Sequence, residues 1–358
     1  MLQIEIKTPS RLHFGLIDLN GEFGRIDGGV GIALKEPGWH LTISQSDQDH
    51  KTDSITISGP QKSLLQNIVL HYLKQRGIPT SGYHMDVQKA IPSHVGLGSK
   101  TQLSLAIGSA LEMLYQGIDK KPPVRQIARL MQRGGTSGIG VNSFANGGFC
   151  VDCGHSFGAG KEKESFLPSR ASRAAPPPIV LKTSFPEEWH IVLAIPSVSP
   201  GASGESEIEI FRENCPIGSK DVEKLSRTVL MQIIPAILEK DIESLGEGLK
   251  TFQAIGFKRI EILQQNPIVQ ELIQAAEDVG SNASGMSSFG PTTFCVVENK
   301  GKAIEIREIW QNNMDEKMGG MALVTCANNT GAVLSISKSR RDTAKSAAIQ
   351  IQVESLPS

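Results

Sequence analysis

The 358-residue chain has only five cysteines, an odd and dispersed set, which excludes a disulfide framework and suits a reducing compartment. Cys150 and Cys153 form a lone C-x-x-C with no second pair and no suitably spaced histidine. That argues against zinc and reads as thiols along a buried strand. No apolar run approaches the roughly 18 residues that a membrane span needs. The first residues, Met1 to Lys7, alternate apolar with polar or charged, as a strand does and a secretory signal does not. Charge of one sign is also missing. The formal net charge is -1 and basic residues are spread along the chain, which excludes nucleic-acid binding by bulk electrostatics. These absences together predict a cytoplasmic protein without membrane or nucleic-acid partners. Hydrophobic residues at 39% and charged residues at 20% leave room for a sizeable core and exclude global disorder.

No short repeat is present, and the length suggests about two domains. Strand-like segments are expected at Gln3–Lys7, Gly31–Leu34, Trp39–Ser44, Ser54–Ser58, His84–Val87 and Gly148–Val151. Helical spacing covers Lys62–Gln75 and Val124–Gln132. The stretch 156–188 is rich in Ser, Arg, Ala and Pro and reads as a linker or long loop between domains 1–155 and 189–358. Within it, Ser169–Arg173 reads as a solvated basic loop. The second half restarts with a strand at His190–Ile195 and continues with helical patterns at Asp221–Glu239 and Arg259–Asp278. Thr293–Val297, Met321–Cys326 and Ala332–Ser337 read as strands and Lys302–Gln311 as a helix, with a polar, helical or frayed tail from Arg340. Strands and helices intermix without strict alternation, which favours two α+β domains.

What the chain does have is glycine, 36 in all, gathered with small polar residues. In Ile91-Pro-Ser-His-Val-Gly-Leu-Gly-Ser-Lys-Thr-Gln102 a glycine-rich loop runs straight into apolar helical spacing at Leu103, Ala106, Ile107, Ala110, Leu111 and Leu114. Gly96 and Gly98 let the backbone approach a ligand, and the helix start adds free N–H donors and partial positive charge, so the loop is an anion site suited to phosphate. Lys100-Thr101 does not make a Walker-A loop, because Ser99 precedes the lysine and His94 sits where the first glycine belongs. Lys100 either adds a cation beside the phosphates or points to solvent. A second such segment is Arg133-Gly-Gly-Thr-Ser-Gly-Ile-Gly140, and a third is Ser284-Gly-Met-Ser-Ser-Phe-Gly290. Three phosphate-like loops divided between two halves predict an interdomain cleft around a polyphosphate. Near the N-terminus, Arg11 and His13 would share one face of a strand, and arginine suits bidentate phosphate contact. A structural Arg11–Asp18 pair and a satisfied core His13 remain the alternative, as does a plain turn role for Asp27 before two glycines.

The motifs Pro92-Ser-His-Val-Gly-Leu-Gly-Ser99, Thr8-Pro-Ser-Arg11 and Gly285-Met-Ser-Ser-Phe-Gly290 resemble, in order and spacing, the three motifs of the GHMP kinase superfamily. That resemblance implies an α+β fold of two domains, a ribosomal-protein-S5-like N-terminal one and a ferredoxin-like C-terminal one, with the active site between them. It leaves an ATP-dependent small-molecule kinase as one reading. Two positions depart from the kinases. Gly140 follows Ser137-Gly-Ile139 where the small kinases place an aspartate base, and Lys100 replaces the second loop serine. A hydroxyl acceptor of phosphate needs a positioned base, so both departures argue against kinase chemistry.

The chain is more similar to a non-kinase branch, the β-ribofuranosylaminobenzene 5′-phosphate synthases. The similarity rests on Ser10–Asp18, Asp27-Gly-Gly-Val-Gly-Ile32, His94–Gln102, Arg133–Gly140, Ser203-Gly-Glu-Ser-Glu207 and Ser287-Ser-Phe-Gly-Pro-Thr292. It implies a pentosyltransferase that joins phosphoribosyl diphosphate to 4-aminobenzoate or 4-hydroxybenzoate with loss of diphosphate and CO₂, toward methanopterin-type cofactors. Mg²⁺ is the implied cofactor, and a homodimer is left open. On this resemblance Arg11, His13, Asp18 and Asp27 are the catalytic candidates. Gly96, Leu97, Gly98, Ser99, Lys100, Thr101, Gln102, Gly135, Thr136, Ser137, Gly138, Ser287 and Ser288 are the candidates for phosphate and substrate contact, and Asp27 and Ser99 for the metal. Glu205 and Glu207 rank behind the aspartates, because acids of this kind are ordinarily solvated.

Overall fold

The computed structural model describes residues 2–45, 55–78, 80, 82–117, 120–199, 205–338 and 349–352. Ser54, Ser203, Gly204 and most of the tail beyond Arg340 lie outside them. Three sheets carry the chain. The first has the order β15-β14-β1-β4-β6-β5, built from β1 (Leu2–Lys7), β4 (His40–Gln45), β5 (Ile55–Ser58), β6 (Tyr83–Lys89), β14 (Val333–Lys338) and β15 (Ile349–Gln352). Its neighbours are antiparallel except for the parallel pair of β5 and β6. The second sheet holds β2 (Ser10–Asp18), β3 (Arg25–Leu34), β7 (Phe149–Asp152) and β9 (Ile179–Thr183), with β8 (His155–Ser156) beside β3. The third runs β11-β12-β10-β13, from β10 (His190–Pro196), β11 (Ala283–Met286), β12 (Thr293–Val297) and β13 (Gly320–Thr325).

Alternation in Leu2-Gln-Ile-Glu-Ile-Lys7 puts Ile4 and Ile6 into the core, as a half-buried strand requires. From Ile26 to Leu34, β3 is buried throughout, so both of its faces are covered. The first half adds the helices α1 (Lys62–Arg76), α2 (Ser99–Gln116), α3 (Val124–Leu130) and α4 (Ile139–Ala145). The central one is α2, whose apolar face fills the space beside α1, α3, β1 and β4. The stretch 156–188 is folded onto this half, through β9 on the edge of β7 and through Lys163, which is buried against Asp27.

The second half adds α5 (Glu205–Asn214), α6 (Ser219–Thr228), α7 (Ile234–Glu239), α8 (Ile242–Ala254), α9 (Gly256–Leu263), α10 (Ile268–Asp278) and α11 (Lys300–Lys317). The expected helix Asp221–Glu239 is a continuous run in which a π-helical turn, Val229–Ile233, joins α6 to α7. The pattern Arg259–Asp278, expected as one helix, is two, because Pro267 cannot continue α9. Two helices, α5 and α8, were not anticipated. The expected last strand is β14, and it pairs with β1 at the other end of the chain. Within the tail, Ile349–Gln352 is a strand on β14 rather than a helix. Among the described residues no helix is long and apolar enough to cross a membrane.

Cross-links between the halves fix the site. Gln253 of α8 donates to the Phe14 carbonyl and accepts from the Met286 N–H, both at 2.9 Å. The Ser288 N–H donates to the His13 carbonyl at 2.8 Å, and the Thr292 N–H to the Val95 carbonyl at 3.2 Å.

Candidate active site

The three glycine segments meet, as expected, at a cleft of about 380 Å³. One end is the loop before α2. Gly96 and Gly98 take φ of +82° and +77°, in the left-handed region that favours glycine. Gly98 is the N-cap of α2 and no side chain caps the helix, so the first-turn N–H groups of Ser99, Lys100 and Thr101, three residues that line the cleft, have no intrahelical partner. A Cβ on Gly96 would collide with the Ser287 carbonyl oxygen, so the loop's own geometry requires glycine there.

β2 delivers Arg11 and His13 to the same cleft. The Arg11 guanidinium donates to the Gly96 carbonyl, and its backbone N–H donates to the Leu97 carbonyl at 3.2 Å. Burial pushes its pKa down to about 10, with Glu261 opposing, so it stays charged at neutral pH. His13 is 6% exposed, and neither ring nitrogen has a hydrogen-bond partner. Burial, then Arg11 and Lys258, hold its pKa well below the usual histidine value, so it is a neutral imidazole with one donor and one acceptor. A buried unpaired polar ring at the wall of a cleft is a costly arrangement that a ligand relieves.

Further cations stand around the loop. Lys100, Arg133 and Arg170 line the cleft. Burial lowers the Lys100 pKa, and the repulsion of Arg133 and Arg170 adds to it. The same cleft is also lined by an aromatic and acidic group, Leu16, Phe211, Phe289, Glu207 and Glu261. Glu261 is paired with Lys258 at 2.7 Å, and Lys258 also donates to the Ser288 carbonyl at 2.6 Å.

Several candidates have other employment. Asp18 caps a turn, accepting from the N–H groups of Asn20 and Gly21 at 2.7 and 3.1 Å, and does not line the cleft. Asp27 is fully buried, held by His155 at 2.7 Å and Lys163 at 2.9 Å, away from the cleft. The Ser99 hydroxyl donates to the Ile91 carbonyl at 2.9 Å. The two residues named for Mg²⁺ are therefore occupied and do not fit a protein-held ion. Among the described residues no group of three His, Cys, Asp or Glu could hold a metal. Gln102 donates to the Gly140 carbonyl at 2.7 Å, behind the loop. Thr136 and Ser137 reach the cleft, but their hydroxyls serve the Leu167 carbonyl at 2.8 Å and Asp152 at 3.2 Å. Gly135, Gly138 and Ser287 support the wall from behind, Ser287 by donating to the Gly96 carbonyl at 2.7 Å. Leu97, Thr101 and Ser288 line the cleft as expected.

Arg170 and Arg173 are exposed, as the reading of 169–173 as a solvated basic loop expects, and Ser169 and Arg170 also border the cleft. Arg133 opens a quoted motif and Glu207 closes another, and those were the signals available for them. Gly140 faces Thr101, whose Cγ2 would lie 3.2 Å from an added Cβ. The position where a kinase holds its base is thus occupied by backbone against a methyl group.

Comparison with known proteins decides the family. Residues 63–151 match the GHMP kinases N terminal domain and residues 233–316 the GHMP kinases C terminal domain. The β-ribofuranosylphenol 5′-phosphate synthase of Methanothermobacter thermautotrophicus is 43% identical over 339 residues, covering 93% of this chain and 99% of its own. The chain belongs to the β-ribofuranosylphenol 5′-phosphate synthase family. Enzymes of the same name from Archaeoglobus fulgidus and Methanocaldococcus jannaschii are each 38% identical, over 93% and 91% of this chain and 100% and 98% of theirs. As a member of the synthase family, the chain is an enzyme of the pentosyl-transferring kind. The family name specifies a phenol where the sequence resemblance names an aminobenzene.

Solved GHMP kinases share the fold. A homoserine kinase from Cytophaga hutchinsonii superposes with a TM-score of 0.64 at 17% identity, covering 93% of this chain and 97% of that one. A phosphomevalonate kinase from Streptococcus pneumoniae gives 0.62 at 14%, covering 92% and 100%. The synthase relatives, at far higher identity, do not favour the kinase alternative.

Proposed function

We propose that the cleft transfers a 5-phosphoribosyl group from phosphoribosyl diphosphate to the ring of 4-hydroxybenzoate, with loss of diphosphate and CO₂, in the making of a methanopterin-type cofactor. The observation that carries this reading is the cleft's mixed lining. It brings the first turn of α2, Arg11, Lys100, Arg133 and Arg170 together with Phe211, Phe289 and Leu16. A polyphosphate suits the cations and the helix N-terminus, and a benzene ring the aromatic side chains. The phenol in the relatives' name favours hydroxybenzoate over aminobenzoate as acceptor.

The chemistry needs no base at position 140. Cations and N–H donors stabilise the charge that builds on the departing diphosphate. Mg²⁺ enters with that diphosphate, as part of the substrate. The ribose C1 becomes electron-poor as its bond to oxygen lengthens. The ring carbon that bears the carboxylate attacks it, and loss of CO₂ returns the bonding pair to the ring. The neutral His13 supplies a donor for a ribose hydroxyl or the benzoate carboxylate. The cysteines described are free thiols, in keeping with a cytoplasmic enzyme.

Ligand protection tests this. Phosphoribosyl diphosphate at about a hundredfold its Kd should stabilise the protein by about 2.7 kcal/mol, read as a rise in Tm, and ATP at equal concentration should not. Lys100→Ala should shrink that rise. Stabilisation by ATP alone would contradict the reading.

A further inference from the structure

The lining of the cleft holds a carboxylate that the transfer described so far does not use. Glu207 and Phe211 are four residues apart on α5, so they share a helix face, and both line the cleft. Phe211 belongs to an aromatic group with Phe257 and Phe289, their ring centroids 4.5 and 6.5 Å from it. Glu207 has no hydrogen-bond or ion-pair partner among the described residues, whereas its neighbour Glu261 is held by Lys258 at 2.7 Å. The charged groups acting on it are Glu261 from α9, itself paired with Lys258, and Arg170 from the 156–188 stretch, and Arg11 and His13 from β2 line the same cleft. Burial, and then the Glu261 charge, push its carboxyl up to about 7, with Arg170 opposing.

Two kinds of polar group therefore border the aromatic wall. β2 offers a cation and the unpartnered, 6%-exposed His13, and α5 offers a free acceptor. A ring with an anionic group at one end and a hydrogen-bond donor at the other complements that set.

Resting on the ribosyl-transfer reading above, we infer that Glu207 takes the proton from the acceptor's para hydroxyl as the ring attacks the ribose, and so selects a phenol over an aniline. The step balances. The O–H bond breaks and its proton goes to Glu207, while the oxygen lone pair forms a C=O bond and pushes electrons to the ring carbon bearing the carboxylate. That carbon bonds to the ribose C1 and diphosphate departs with its bonding pair. CO₂ then leaves, its electrons restore the aromatic ring, and the phenolate oxygen recovers the proton from Glu207. An aniline donates its lone pair without first losing a proton, so it gains nothing from a base at this position.

The two acceptors can be read against each other in the full-length enzyme with phosphoribosyl diphosphate and Mg²⁺. In Glu207→Gln, kcat/KM for 4-hydroxybenzoate should fall about 100-fold, while that for 4-aminobenzoate stays within about threefold. Glu207→Asp should recover part of the loss. In the wild type, the ratio of hydroxybenzoate to aminobenzoate turnover should rise about tenfold per unit as pH rises toward 7 and level off above it. In Glu207→Gln it should be flat. Taking the ratio cancels every titration shared by the two reactions, including that of the common phosphoribosyl substrate, and cancels any shared loss from misfolding. An equal fall for both acceptors, or a wild-type ratio independent of pH, would overturn the assignment of Glu207 alone. Wild-type enzyme that ribosylates neither acid would overturn the underlying reading and this one with it.

Discussion

Arg11→Met should lower kcat/KM for phosphoribosyl diphosphate by about 10³-fold, near the upper range for removing one preorganised charge-stabilising donor. Arg11 is the cation anchored to the phosphate loop itself, through the Gly96 and Leu97 carbonyls. It is also desolvated, and a buried charge acts more strongly on a developing anion than a solvated one does. The protein should stay folded. The Gly96 carbonyl keeps its hydrogen bond from Ser287, and the thioether chain fills the volume of the guanidinium stem. Steady-state kinetics, with Tm as the control for folding, check both halves of this expectation. A loss below tenfold would place Arg11 among the structural residues, as its alternative pairing with Asp18 would have had it.

Gly96→Ala should do the opposite, damaging the fold and the site together. Its φ of +82° alone costs an alanine about 1–2 kcal/mol. The new Cβ also meets the Ser287 carbonyl and comes within 3.2 Å of that of Gly290, which are backbone atoms that no rotamer change can move aside. To make room, the 287–290 loop must withdraw. That strains the Ser287–Gly96 bond at 2.7 Å, the bond from the His13 N–H to Ser287 at 3.0 Å and that from the Ser288 N–H to the His13 carbonyl at 2.8 Å. Together these place the destabilisation at about 3–5 kcal/mol. Denaturant unfolding measures it, and calorimetry should find phosphoribosyl diphosphate binding lost. Wild-type stability with normal binding would mean the two halves are not joined through this loop.

The parts of the site that were legible in the sequence are local ones. The phosphate loop could be read because its glycines and the apolar spacing after them fall in one 24-residue stretch. That Arg11 and His13 share one face follows from alternation once they lie on a strand, although the strand Ser10–Asp18 was not itself among those expected. The misses are tertiary. Nothing near Asp27 in the chain foretells Lys163 and His155, which close on its carboxylate from more than 120 residues away. Ser137 looked like a phosphate ligand until Asp152, on the adjoining strand, took its hydroxyl. Arg170 lies in a stretch without periodicity, and only the anchoring of that stretch onto the first half brings it to the cleft. Glu207 and Phe211 had the spacing of a shared helix face, but what that face meets is set by the other half of the molecule. The helix Arg259–Asp278 failed for a local reason, Pro267, whose effect was outweighed in the reading by the apolar spacing on either side.

The central claim is that one cleft couples ribosyl transfer to loss of the acceptor's carboxylate. Carboxyl-labelled 4-hydroxybenzoate tests it directly, incubated with the enzyme, Mg²⁺ and phosphoribosyl diphosphate while labelled CO₂ and diphosphate are counted together. The account predicts the two released one for one, matched by a ribosylated phenol. Diphosphate released without labelled CO₂, or neither released while ATP is consumed, would contradict it.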